Sequence, residues 1–139
     1  NTAVVSGGGI TPITVTETIG TESTPILTIT KSVSPVPVTE NGTLTYTFLI
    51  QNAGSAPADI GTDAVIVDTF NPLLSNLAVS FNGTAWAETT NYTYDETTGV
   101  FTTIAGQITV PAATYTQNPA TGVWTADPGV STLVVKGTI

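Results

Sequence analysis

Hydrophobic and polar residues alternate with a period of two along much of the chain. The pattern is cleanest over Leu44-Thr45-Tyr46-Thr47-Phe48, which runs on into Leu49-Ile50, and over Leu77, Val79 and Phe81 against Ala78, Ser80 and Asn82. Successive side chains of a strand point to opposite faces, so this alternation predicts half-buried strands with one wet face. Strands are expected at about residues 11–19, 25–32, 43–52, 62–68, 74–82, 92–94, 100–104, 107–110, 122–125 and 132–139. Turn-forming stretches separate them: Asn41-Gly42, Asn82-Gly83, Asp95-Glu96-Thr97-Thr98-Gly99, Asn118-Pro119 and Asp127-Pro128-Gly129. Helix signals are almost absent. Many short strands with frequent turns predict an all-β sandwich.

Composition sharpens this picture. The chain has 139 residues, about one domain, and Thr, Val and Ile make up about 40% of it, with 30 Thr. These β-branched side chains lose freedom in a helix and pack well on a pleated sheet. Charged residues are only 9%, and the net charge is -8 with two cations. Two cations cannot neutralise a phosphate backbone, so the balance argues against nucleic acid and against an anionic membrane surface. Cys and His are both absent, which closes disulfide frameworks, Cys or His metal sites, and Ser-His-Asp or Cys-His catalysis. No cofactor or metal is implied, and no carboxylate pair stands in a recognisable glycosidase motif, so a non-enzymatic protein is expected. No apolar run reaches the length of a membrane span. The chain starts at Asn1 and contains no Met, from which removal of a secretory leader and an extracellular or cell-surface location are expected.

The first 25 residues differ from the rest. Ser6-Gly7-Gly8-Gly9 reads as a flexible hinge, and Gly20-Thr21-Glu22-Ser23-Thr24-Pro25 as a second break. Between them, Ile10, Ile13, Val15 and Ile19 are interleaved with Thr and Glu. The chain therefore divides into an extended arm, residues 1–25, and a sandwich domain, residues 26–139. A strand-competent arm ahead of a sandwich predicts strand donation, in which the arm of one copy completes a sheet of the next. Such head-to-tail contacts do not close and give fibres. The other reading of the arm is an edge strand folded back on its own domain.

From Ile26 onward the chain resembles the conserved-repeat domain of prokaryotic surface proteins, a family of unknown function. The matching residues are Leu27-Thr28-Ile29-Thr30-Lys31-Ser32-Val33, Asn41-Gly42-Thr43-Leu44-Thr45-Tyr46-Thr47, Gln51-Asn52-Ala53-Gly54-Ser55-Ala56 and Ala64-Val65-Ile66-Val67-Asp68-Thr69-Phe70. The stretch 92–101 and Ile108-Thr109-Val110-Pro111-Ala112-Ala113-Thr114 are similar to a variant in clostridial surface proteins. The resemblance covers about residues 26–139. It implies an immunoglobulin-like β-sandwich on the cell surface, without a defined activity, since members are mostly stalk and repeat modules. Members usually stand in tandem ahead of an anchor; a single copy with an arm departs from that pattern. Together these features lead us to expect a homopolymeric extracellular filament serving adhesion or biofilm scaffolding. The alternatives are a surface-protein stalk and a carbohydrate- or host-binding adhesin module.

Few residues offer chemistry. Lys31, Asn52 and Asp68 are the ingredients of a spontaneous isopeptide bond, or of an ordinary Lys31–Asp68 salt bridge with Asn52 fixing a turn. Lys136 and Asn118 are the other amine and amide considered. Asn41, Asn82 and Asn91 each open an Asn-x-Thr sequon, candidate sites for glycans. Asp59 and Asp63, with Asp95-Glu96 elsewhere, match no defined calcium loop and read as solvated turn residues. Trp86, Trp124, Tyr92, Tyr94 and Tyr115 could form a sugar-stacking platform, though packing at the core and strand ends is the commoner use of aromatics.

Overall fold

The computed structural model describes residues 2–7, 10–16 and 23–139. Among them the chain is all-β. Two leading strands, β1 (Thr2–Gly7) and β2 (Ile10–Thr16), precede β3 (Leu27–Ser34) and β4 (Thr43–Asn52). Next come β5 (Val67–Thr69), β6 (Ser75–Phe81), β7 (Thr84–Trp86), β8 (Tyr92–Tyr94) and β9 (Val100–Thr103). The chain ends with β10 (Thr114–Gln117), β11 (Trp124–Asp127) and β12 (Gly129–Thr138).

Two antiparallel sheets enclose the core. One has five strands in the order β3-β4-β12-β6-β7, and the other has three in the order β5-β9-β8. The period-two pattern of β4 explains the first sheet. Leu44, Tyr46, Phe48, Ile50 and Asn52 are buried, while the residues between them are half-exposed. Leu133 and Val135 of β12 stand opposite Phe48 and Tyr46, on the same buried face. From the second sheet and its loops come Ile66, Phe70, Phe101, Ile108 and Val110. Phe70 is the aromatic hub. Its ring stacks on Tyr46 at 4.7 Å and meets Phe101 at 5.6 Å and Tyr94 at 5.9 Å.

Several expectations hold and several shift. Strands appear at 43–52 and 92–94 as the alternation predicts. The expected strand at 107–110 is a loop with one bridge, Ala58 to Val110, whose alternating Ile108 and Val110 nonetheless enter the core. Over 62–68 only Val67–Thr69 is strand, because Asp59 caps a 3-10 turn at Ile60–Thr62, accepting the Gly61 N–H. Strands at Thr84–Trp86, Thr114–Gln117 and Thr2–Gly7 were not expected; they are short, and their pairing is what makes them strands.

The leading segment also differs from a single extended arm. Ile10–Thr16 pairs antiparallel with Thr2–Gly7, Val15 opposite Ala3 and Ile13 opposite Val5, as a two-stranded sheet of its own. The Gly8-Gly9 link and residues 17–22, with Ile19, lie outside the described residues.

Tyr92 gives the fold an alkaline limit. Its ring is buried and stacks on Phe101 at 5.2 Å. Burial, with the nearby Glu88 charge, raises the phenol pKa above the usual 10.0. The neutral phenol is thus favoured by folding. This contribution is present below about pH 10 and is lost as pH rises through the folded value. Thermal melts are expected to show a falling midpoint above pH 10, and Tyr92→Phe should blunt that fall.

Candidate functional site

β3 departs from the burial alternation that β4 and β12 of the five-stranded sheet obey. Its register places Leu27, Ile29, Lys31 and Val33 opposite Asn52, Ile50, Phe48 and Tyr46. Residues directly opposite on an antiparallel pair share a face, so these four side chains point the same way as the core. Yet every residue of β3 is exposed, Ile29 at 51% and Val33 at 40%. The cause is the strand count. The second sheet ends at β5, so no strand lies over β3.

What remains is an open groove between the two sheet edges. Near the start of β3 it is about 270 Å³, with Leu27 and Ile29 on one wall, residues 64–67 on the other, and buried Ile50, Ile66 and Ile108 beneath. A second apolar hollow of about 280 Å³ lies at the far end of β3, lined by Val33, Val36, Leu44, Tyr46 and Pro72 among others. The free edge of β5 borders the groove. Ile66 O and Phe70 N bond to Thr103 N and Gly99 O of the β9 side. Main-chain groups alternate in direction along a strand, so those of Val67, between Ile66 and Asp68, face away from β9, toward the unfilled position.

Lys31 and Asp68 stand between the two hollows. Lys31 Nζ and Asp68 Oδ2 form an ion pair joining β3 to β5. The ammonium lies 4.6 Å from the Tyr46 ring centre, 5.6 Å from Phe70 and 5.8 Å from Phe48, a cation–π setting. Asp68 Oδ2 is shielded from solvent, and Oδ1 accepts the Thr69 N–H. The Lys31 side chain is still 39% exposed.

Asn52 does not join this pair. It sits four residues along the register from Lys31's partner Phe48, roughly 13 Å away. Fully buried, it accepts the N–H groups of Ile26 and Gly54 and donates to Ala56 O and Pro111 O. Of the isopeptide ingredients, the fold thus brings together Lys31 and Asp68 and sets Asn52 apart as a pin. That pin fixes the entry to β3, where Gly54 also passes so close to Thr24 that a Cβ would collide with its carbonyl oxygen. Asn52→Leu strands four main-chain groups and is expected to cost about 2–4 kcal/mol, read as a lowered urea midpoint.

The other sequence-predicted residues fall elsewhere. Ile10, Ile13 and Val15 lie in β2, with side chains outside the described set, as is Ile19. Asn82 and Asn91 have both amide atoms in hydrogen bonds, to Ser131 and Thr132 and to Gln107 and Ala87. Asn41 is exposed in a left-handed turn conformation, φ 60°. Among the three sequons it alone carries an amide without a side-chain hydrogen bond among the described residues. Asp63 closes the 3-10 turn that Asp59 opens. Asp95 caps its own turn, accepting the N–H groups of Thr97 and Thr98, which lowers its carboxyl pKa. Tyr92 is core, Trp86 stacks on Phe81, and Tyr94 donates its hydroxyl to Leu74 O. Trp124 and Tyr115 lie on the β10–β11 hairpin, 63% and 47% exposed. Lys136 is exposed on β12.

Sequence reasoning missed the groove itself. Its only trace was an apolar alternation in β3 indistinguishable from that of a covered strand. No family model matches this chain, and no curated protein or solved structure is similar to it.

Proposed function

We propose that this chain is the repeating subunit of an extracellular homopolymer, built on an immunoglobulin-like sandwich and held together by strand donation. The observation that carries the reading is the groove between β3 and β5. A strand placed there would pair with the outward main-chain groups of Val67 on β5 and cover Leu27, Ile29 and Val33. An added strand contributes main-chain hydrogen bonds and places alternate side chains in pockets. It also removes an open sheet edge, which soluble proteins otherwise blunt or cover. The donor is the leading segment, residues 10–19, of the next copy. Residues 10–16 of it pair with β1 in the isolated chain, and an isolated hairpin is marginal in water, so exchange of that pairing for a groove is not strongly opposed. The product is a secreted structural fibre, suited to adhesion or biofilm scaffolding, with no catalytic role.

The test is assembly of the purified full chain. Concentration-dependent oligomers on size exclusion, and fibres by negative-stain microscopy, are the expected result. A monodisperse monomer at high concentration would overturn the reading.

One feature favours a second reading. Gln117 stands opposite Trp124 and Tyr115 opposite Ala126, so Trp124 and Tyr115 share a face of the β10–β11 hairpin. An exposed aromatic pair suits a glycan-binding surface module. Loss of glycan-array signal in Trp124→Ala, with no fibres from the parent chain, would favour it over the polymer.

A further inference from the structure

The groove carries a pattern of its own. Along β3 the inward-facing residues read Leu27, Ile29, Lys31, Val33: apolar, apolar, cationic, apolar. The leading segment contains the same spacing with the opposite charge. At period two, one face of residues 13–19 reads Ile13, Val15, Glu17, Ile19: apolar, apolar, anionic, apolar. Ile10 falls on the other face by parity.

Resting on the strand-donation reading, we infer that the donated strand docks in one register, with Glu17 of one copy against Lys31 of the next. Ile13 and Val15 then enter the hollow beside Leu27 and Ile29, and Ile19 enters the hollow beside Val33. The strand runs parallel to β3 and pairs with the free edge of β5.

Lys31 selects this register. An ammonium has three N–H donors and no acceptor. Asp68 engages one side of it, and the side chain, on the inward-facing row of β3, keeps 39% of its surface exposed. An apolar residue laid over that surface would leave donors buried without partners, which is unfavourable. A carboxylate there completes the shell. The choice is narrow because the chain holds only two cations, and the other, Lys136, is on β12. A slip by one residue would turn Thr14, Thr16 and Thr18 inward and Ile13, Val15 and Ile19 outward. A slip by two would put Val15 or Ile19 over the ammonium. The Lys31–Asp68 pair is therefore the register mark of the groove, and Glu17 is its reader.

The direction also bears on which copy is captured. In the parallel register Ile19 lies at the Val33 end, while the same chain must re-enter at Leu27. The eight residue steps between them reach at most roughly 26–29 Å. They would have to run back about 20 Å along the groove and roughly 10 Å between sheets. That path is about 22 Å, roughly four fifths of the full reach, so filling its own groove would need an extended connection, whereas a neighbour's groove imposes no such demand.

Zero-length carbodiimide coupling of assembled, unmodified chains tests this. Equal amounts of light and heavy-isotope protein are mixed before assembly, and linked peptides are read by mass spectrometry. The expected product joins Glu17 to Lys31, with mixed-isotope pairs about as frequent as same-isotope pairs. Fibres whose Lys31 couples only to Asp68 would overturn the register and leave the fibre reading standing. A Glu17–Lys31 link found only within one isotope would show that the arm fills its own groove, and would overturn donation as well. A charge reversal provides a second readout. Glu17→Lys is expected to raise the concentration needed for assembly at least about tenfold. Thr18→Lys, the same charge on the other face, should leave it within about twofold. Equal effects at positions 17 and 18 would overturn the register.

Discussion

Ile29→Asp is expected to leave the single subunit folded and to abolish chain-to-chain assembly. The side chain is half-exposed in the isolated chain, at 51%, on an edge strand with nothing above it. Surface substitutions of this kind usually change stability by about 0.5 kcal/mol or less. In the donated state the same position is covered. Losing an Ile anchor removes roughly 1.5–3 kcal/mol, and a carboxylate under an apolar strand adds a desolvation penalty of several kcal/mol. The sum weakens assembly by more than about a hundredfold. Sedimentation should show monomers, and the far-UV circular dichroism spectrum should match that of the parent. Persistence of fibres in this variant would mean that the groove is not the contact.

Phe70→Ala is expected to have the opposite profile, a damaged subunit rather than a blocked contact. Phe70 is 1% exposed and touches Tyr46 of one sheet and Phe101 and Tyr94 of the other. Its removal leaves a cavity where the two sheets meet, with an expected cost of about 3–5 kcal/mol. For a domain of this size that lowers the melting midpoint by roughly 10 °C. The damage extends to the site, since the same ring faces the Lys31 ammonium at 5.6 Å. Assembly should weaken in proportion to the unfolded fraction and recover at low temperature, which the Ile29→Asp defect should not do.

The pattern of residues carries much of the architecture. The alternation in 43–52 marks an interior strand to the residue, because one face of β4 is buried along its whole length. The turn signals at Asn82-Gly83 and Asp95 to Gly99 lie where hairpins close, with Asn82, Gly83 and Gly99 at positive φ. Pattern failed where burial comes from elsewhere. Ile108 and Val110 alternate like a strand but pack from a loop. The pairing of Thr2–Gly7 with Ile10–Thr16 was hidden because glycines that read as a hinge also suit a hairpin link.

By itself, then, the order of residues determined the all-β class and the alternating strands that carry the core. Local periodicity and residue chemistry suffice for these. Only the tertiary structure decided that β3 lacks a covering strand, that Lys31 meets Asp68, and that Asn52 serves the entry to β3 instead. Those facts depend on which strands end each sheet. Strand order is set by contacts between residues far apart in the chain, and an exposed apolar strand has the same alternation as a buried one.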